Sequence, residues 1–252
     1  MTRVAAVQLE LSDENSASGR RDAVRDLVPG LDADLILLPE LWEIGPFAVA
    51  RNLDSAVTLD QWCEQMAGLA PGRTVHAGSF LERDGEDLYN TSVVFGPDGE
   101  VVGIYRKIHL FGFDAGEAVT LTAGDRPVVV QTPLGPTGLA TCYDLRFPEL
   151  FRALTDAGAT SVLIPTGWPT VRIRHWQLLA AARAAENQLW VIGANSVGSS
   201  GGVELGGHTL VADPWGDTLE ALTEPGVLDM ELDPHLPHEV RAGFPVLRDR
   251  RL

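Results

Sequence analysis

Three side chains in this sequence have the chemistry of covalent catalysis if the fold brings them together: a thiol, a carboxylate and an amine. Cys142 follows the short apolar run Gly138-Leu-Ala-Thr and opens the polar turn Tyr-Asp-Leu-Arg-Phe-Pro-Glu, so it sits where a predicted strand meets a predicted helix. Backbone N–H groups at such a helix start, with the positive end of its dipole, are expected to lower the thiol pKa and to face an oxyanion. Glu40 closes Leu35-Ile-Leu-Leu-Pro-Glu, and Lys107 closes the strand pattern Val101-Val-Gly-Ile-Tyr-Arg-Lys. Strand ends are where α/β enzymes gather their chemistry. Taken singly, each has an ordinary explanation: Cys142 as packed core, Glu40 and Lys107 as solvated surface residues. The same context occurring three times is what sets them apart.

The elements that must position these groups alternate along the chain. Val4 to Leu9 reads as a strand, Ala17 to Val28 as an amphipathic helix ended by Pro29-Gly30, and Leu35 to Leu38 as the next strand. A helix follows near Leu59 to Leu69, where Leu59, Trp62, Cys63 and Met66 share one face, which makes Cys63 a core residue. A strand at Thr74 to Phe80 precedes a hairpin whose strands, Ser92 to Phe95 and Val101 to Tyr105, flank Gly96-Pro-Asp-Gly. Residues 108–126 form a loop long enough to suggest function. Strands near Val128 and Leu139 lead to the Cys142 turn and a helix to Ala157. Then come a strand at Ser161 to Ile164, a helix near Trp176 to Gln188, a strand at Leu189 to Ala194, and a strand-rich final third with Asp213-Pro-Trp-Gly as a turn. The alternation predicts sheets covered by helices, and by pattern alone a three-layer doubly wound fold and a four-layer one read alike. The 252 residues are read as a single domain, 1–252.

Pro39-Glu40, Tyr105-Arg-Lys-Ile-His-Leu-Phe111 and Cys142-Tyr-Asp-Leu-Arg-Phe-Pro-Glu149 resemble, in order and local context, the three signature blocks of the nitrilase superfamily of carbon–nitrogen hydrolases. Gly116-Glu-Ala-Val-Thr-Leu-Thr-Ala-Gly-Asp125 further resembles the block that carries the family's auxiliary second glutamate, here Glu117. The resemblance runs from Val4 to about Arg251. It implies a four-layer αββα sandwich that dimerises through its helical faces, with the tail of about 234–252 at the dimer interface. It also implies hydrolysis of a non-peptide C–N bond without metal or cofactor.

In that chemistry Glu40, partly buried behind Pro39 and Leu41, is the base that takes the Cys142 proton and returns it to departing ammonia. Lys107 and the Tyr143 backbone N–H stabilise the tetrahedral oxyanion, and Glu117 holds Lys107 or the substrate amide. Asp144, Arg146 and Glu149 are assigned to an ion-paired network that fixes the turn. Arg183, Glu186 and Asn187 are read as packing and interface contacts. True nitrilases usually carry Cys-Trp-Glu where this chain has Cys142-Tyr-Asp, which favours an amidase. The octapeptide most resembles the branch of ω-amidases and deaminated-glutathione amidases, whose substrates are small amides bearing a carboxylate. The first loop, Trp42-Glu-Ile-Gly-Pro-Phe, departs from that branch's pattern. Trp168, Arg172 and Arg174 follow a core strand and are candidate substrate-binding residues, with solvent-facing arginines the competing reading. An N-carbamoyl amide hydrolase would use the same residues. A silent scaffold on the same fold is the reading from another class, and the intact Glu40, Lys107 and Cys142 set argues against it.

The charge balance of 35 acidic against 19 basic residues, −16 net, argues against nucleic acid and opposes anionic substrates at long range. A carboxylate-bearing substrate therefore requires a local cation. Cys63 and Cys142 provide no disulfide framework, and the six histidines show no ligand spacing. The apolar runs are too short to span a bilayer, and the N-terminus lacks the apolar core of a signal peptide, so a cytoplasmic location is expected.

Overall fold

The computed structural model describes residues 1–251 and resolves the alternation into named elements. The first half runs β1 (Thr2–Leu11), α1 (Ala17–Leu27), β2 (Leu35–Leu37), α2 (Leu59–Met66), β3 (Thr74–Asp84), β4 (Asp87–Phe95), β5 (Val101–Arg106) and the single turn α3 (Glu117–Thr120). The second half begins β6 (Val128–Thr132), β7 (Gly135–Leu139), α4 (Pro148–Asp156), β8 (Ser161–Pro165), α5 (Ile173–Asn187) and β9 (Trp190–Ala194). It closes with β10 (Ser196–Ser200), β11 (Val203–Gly206), β12 (Thr209–Ala212), β13 (Thr218–Leu222), β14 (Gly226–Leu232) and α6 (Leu236–Gly243). One sheet has the order β11-β10-β1-β2-β3-β4-β5, with β14 antiparallel to β1, and the other β13-β12-β9-β8-β7-β6. Both have parallel centres, β1-β2-β3 and β7-β8-β9.

Period-two alternation sorts the strand side chains into layers. Ala5, Val7, Ile36 and Leu38 face outward onto Val24, Trp62 and Met66 of α1 and α2. Val4, Ala6, Leu35 and Leu37 face inward onto Leu163, Ile192 and Val211 of the other sheet. In that second sheet Val162, Ile164, Val191 and Leu210 pack beneath Phe151, Leu154, Trp176 and Ala180 of α4 and α5. The result is the αββα sandwich. Its central strands are buried on both faces, so they read in sequence as unbroken apolar runs, which is why pattern alone could not count the layers. Each Val, Leu or Ile among them contributes about 1.5–3 kcal/mol on burial.

Local signals fix the helix starts. The Ser16 hydroxyl accepts the Gly19 N–H at 3.1 Å to begin α1, and Thr58 and Gln61 cap α2 reciprocally at 2.9 and 3.2 Å. The expected helix at Cys142 is corrected. Cys142–Arg146 forms a 3-10 turn, and α4 starts only at Pro148. Proline suits the first helical position, and it holds Phe147 extended at φ −108°, ψ 97°, which separates the two segments. α6 is itself tied to the body: the Arg241 guanidinium donates to the Ala159 and Asn187 carbonyls at 2.8 and 3.0 Å.

His76 of β3 is paired with Leu37 and alternates with Val75 and Ala77, which pack outward, so it faces the layer between the sheets. Neither ring nitrogen has a side-chain or backbone partner among the described residues, and burial holds its pKa down to about 3. The unfolded chain therefore binds a proton that the folded chain refuses as pH falls from about 6.5 towards 3, and stability drops over that window. Between pH 7 and pH 5 the protein should lose about 2 kcal/mol more than a His76→Leu variant, measured by denaturant unfolding. Parallel pH dependence of the two proteins would refute this.

Candidate active site

Glu40, Cys142 and Gly167 follow the carboxyl ends of parallel strands β2, β7 and β8, so the two sheets bring them to one place. Behind Glu40 the chain is clamped to β3. Ser79 N–H donates to the Pro39 carbonyl at 3.3 Å, and Leu41 N–H to the Ser79 hydroxyl at 3.0 Å. Gly78, at φ +72°, permits this approach, since a Cβ there would lie 2.1 Å from the Pro39 carbonyl oxygen. Leu41 and Cys142 both adopt positive φ, +43° and +44°. Such conformations are uncommon for side chains with a Cβ and persist only where the surroundings impose them. At Cys142 the constraint is Asp144, whose buried carboxylate accepts Thr141 N–H at 2.8 Å and the Tyr105 hydroxyl at 2.7 Å. It also accepts His109 N–H at 3.0 Å and contacts His109 Nδ1 at 2.7 Å.

Lys107 is 1% exposed and lies between two carboxylates that are 2% and 5% exposed: its Nζ is 2.7 Å from Glu40 Oε1 and 2.6 Å from Glu117 Oε2. Two of its three donors are thus used. Gly167 N–H reaches across from the second sheet to Glu40 Oε2 at 3.0 Å, and Phe111 N–H donates to Glu117 Oε2 at 2.9 Å. Burial alone would lower the Lys107 pKa, but Glu117, Glu40 and Cys142 outweigh it and hold the ammonium well above its ordinary range. Glu40 is raised, because burial and the nearby Glu117 charge exceed the effect of Lys107. The Cys142 thiol lies against the Glu40 carboxylate. Burial first, then Glu40, push it well above its usual value, with Lys107 offsetting only part. The expected lowering of the thiol is therefore corrected: the dipole of a short 3-10 turn does not outweigh a desolvated carboxylate. Such a thiol is protonated at rest and needs a base in contact with it to attack.

Above these groups opens a narrow cleft walled by Pro46, Phe47, Phe111, Tyr143 and Trp168. Trp168 stands in the wall, with its indole N–H donating to the Arg172 carbonyl at 2.8 Å. Arg172 also reaches the cleft, its guanidinium 5.7 Å from the Phe111 ring centre. Arg174 does not: it is exposed on the first turn of α5, where two further residues rotate a side chain about 200° away. The second cleft arginine is Arg146, 4.8 Å above the Trp168 ring. The ion-paired network assigned to Asp144, Arg146 and Glu149 is absent among the described residues, because Asp144 is satisfied by the groups named above and Glu149 is exposed. The signal for Arg146 was its place four residues after Cys142, one turn on and over the thiol. Asn90, between Glu40 and Glu117, had no comparable signal.

The family described as Carbon-nitrogen hydrolase matches residues 3–242. The 2-oxoglutaramate amidase of Paenarthrobacter nicotinovorans is 42% identical over an alignment that covers 98% of this chain and 89% of that protein. Among solved structures, Saccharomyces cerevisiae Nit3, described as a member of branch 10 of the nitrilase superfamily, has a TM-score of 0.88 at 28% identity, covering 100% of this chain and 97% of that one. A mutant of the amidase from Nesterenkonia sp. AN1, which shows the result of Michael addition of acrylamide at its active site cysteine, has a TM-score of 0.84 at 27% identity, covering 99% of both chains.

Replacing Lys107 by Met removes the ammonium that faces two buried carboxylates, and the loss of one partner from such a cluster costs about 3–5 kcal/mol. Glu40, already raised, rises further without its counter-charge, so the folded variant gains a proton more readily than the unfolded chain. The deficit should be full at pH 8 and shrink as pH falls through the folded-state pKa of Glu40. Thermal unfolding of both proteins at pH 8 and pH 5.5 checks this, and a deficit that is absent or grows on acidification would contradict it.

Proposed function

The chain belongs to the carbon–nitrogen hydrolase family, and from that premise we propose that it is an amidase releasing ammonia from a small carboxylate-bearing amide, an ω-amide, through a cysteine acyl-enzyme. The observation that carries the substrate class is the pair Arg146 and Arg172. Both line the cleft above Cys142, both rest on aromatic rings, and neither has a carboxylate partner among the described residues of a strongly acidic chain. Burial, with Arg172 among the nearby charges, holds Arg146 below its ordinary value, and an anion placed between the two arginines would relieve their repulsion. The name of the 42% identical relative, 2-oxoglutaramate amidase, supports the same class.

In the proposed reaction the carboxylate lies against the arginines and the amide points to the cleft floor. Cys142 Sγ adds to the amide carbonyl as Glu40 takes the thiol proton; the raised Glu40 pKa suits it to both halves of that exchange. The oxyanion is met by the remaining Lys107 donor and the Tyr143 backbone N–H. Glu40 then passes its proton to the nitrogen, the C–N bond breaks, and ammonia leaves a Cys142 thioester. Water, deprotonated by Glu40, adds to the thioester and expels the thiol, which takes back its proton. Glu117 keeps Lys107 placed and charged throughout.

We also read the protein as a cytoplasmic homodimer of one domain, with the tail of about 234–252 near the interface. Both cysteines are free thiols, as a reducing compartment keeps them. Leu178 on α5 is exposed, and Trp215 and Phe244 are exposed and stacked 6.2 Å apart, which leaves apolar surface for a second copy to cover.

Cys142→Ala should release no ammonia while keeping native circular dichroism. An ω-monoamide of a small dicarboxylic or oxo acid should be hydrolysed far better than its uncharged analogue. Arg146→Ala or Arg172→Ala should raise KM for the anionic amide about 10²-fold and leave that for the neutral one nearly unchanged. Equal KM values for charged and uncharged amides would overturn the assignment, and release of ammonia from an N-carbamoyl acid but not from the ω-amide would establish the rival.

A further inference from the structure

The carboxylates of Glu40 and Glu117 share more than Lys107. On their other side the Asn90 side chain of β4 donates from Nδ2 to Glu40 Oε1 at 2.9 Å and to Glu117 Oε1 at 2.7 Å, while the Asn90 backbone carbonyl accepts Lys107 N–H at 2.9 Å. One buried residue thus bonds both carboxylates and the backbone of the lysine between them. Its own Oδ1 has no partner among the described residues. An orphaned buried acceptor is a cost that folded proteins usually avoid. Turning the amide over would aim the oxygen at two carboxylates, so the charges dictate the orientation and the orphan is tolerated for what the NH₂ does.

We infer that Asn90 is a positioning residue for the reaction: its amide fixes the Glu40 and Glu117 carboxylates on either side of Lys107 and favours the ionised form of Glu40, so that Glu40 is ready to accept the thiol proton. Lys107 alone cannot do this. It bonds each carboxylate through one oxygen, and the Gly167 and Phe111 N–H groups tie Glu40 Oε2 and Glu117 Oε2 to the backbone; Asn90 adds a donor to Glu117 Oε1, which none of these reaches, and links the two carboxylates directly, closing a four-membered ring of side chains, Glu40–Lys107–Glu117–Asn90. The charged and titratable groups facing Glu40 are then Lys107 at the end of β5, Glu117 of α3 and the neutral Cys142 thiol, with Asn90 the uncharged donor. A hydrogen bond donated to an ionised carboxylate favours that form, so Asn90 works against the burial that raises Glu40.

The inference rests on the amidase reading, and its test includes a readout independent of substrate. Asn90→Leu removes both donors, and Asn90→Thr retains one. For the ω-amide, kcat of Asn90→Leu should fall about 10–10²-fold with KM within about twofold of the parent, because Asn90 does not line the cleft. The acid limb of the kcat–pH profile should move up by about one unit, with Asn90→Thr in between. The same upward shift should appear in the pH dependence of Cys142 alkylation by iodoacetamide, which reads the Glu40–thiol pair whether or not any ω-amide is turned over. An unshifted acid limb of alkylation in either variant, with circular dichroism showing it folded, overturns the inference. If Asn90→Leu fails to fold, Asn90→Thr decides. A shifted alkylation limb in a protein that hydrolyses no ω-amide would uphold Asn90 and reject the substrate assignment instead.

Discussion

An ammonium shut away from water between two carboxylates is the constraint around which this molecule is arranged. Lys107 could not remain charged at its depth without Glu40 and Glu117, and buried Glu40 depends in turn on the ammonium for its ionised form. The three groups come from the end of β2, the end of β5 and the start of α3. Keeping the ammonium within 2.7 Å of both carboxylates demands that strand ends, the 108–126 loop and both sheets be held in register. Much of the unusual backbone near the site serves that end. Gly78 lets Pro39 approach β3, Leu41 turns the chain immediately after Glu40, and the Gly167 N–H ties the first sheet's carboxylate to the second sheet.

The same cluster decides how a thiol can be used here. Two negative charges against one positive charge leave the floor of the cleft electronegative, which disfavours a resting thiolate. The alternative is a thiol that stays neutral and inert until a substrate carbonyl arrives to take up the charge that its deprotonation creates. Activation is thereby coupled to the developing oxyanion rather than stored in the free protein.

The parts of this arrangement that were legible in sequence are those written in contiguous residues. Cys142, Glu40 and Lys107 each close a strand pattern, and each sits where that pattern placed it. Glu117 was visible only through a longer block, and it occupies the one helical turn in an otherwise irregular loop. What the sequence hid depends on geometry between elements. Arg146 and Arg174 look equally available on paper. A turn that curls back over the thiol brings Arg146 into the cleft, and two positions of helical rotation carry Arg174 out of it. Asn90 lies in an ordinary strand, and nothing local separates it from a structural asparagine. The thiol's direction of shift was misjudged because desolvation is a property of the finished packing, which a dipole argument from one turn does not contain.

The uneven charge of the cleft gives arrival and departure different energies. Hydrolysis of an amide leaves a second carboxylate at the reacting carbon, beside Glu40 and Glu117, so the acid that leaves carries one more negative charge than the amide that entered. On the proposed reading the two arginines attract the shared carboxylate of both molecules alike and cannot distinguish them. The floor can, and so can the −16 charge of the chain beyond it. Repulsion therefore falls more heavily on the doubly charged product than on the singly charged amide, favouring its departure after each turnover and making the cleft a poorer receptor for the acid it has made.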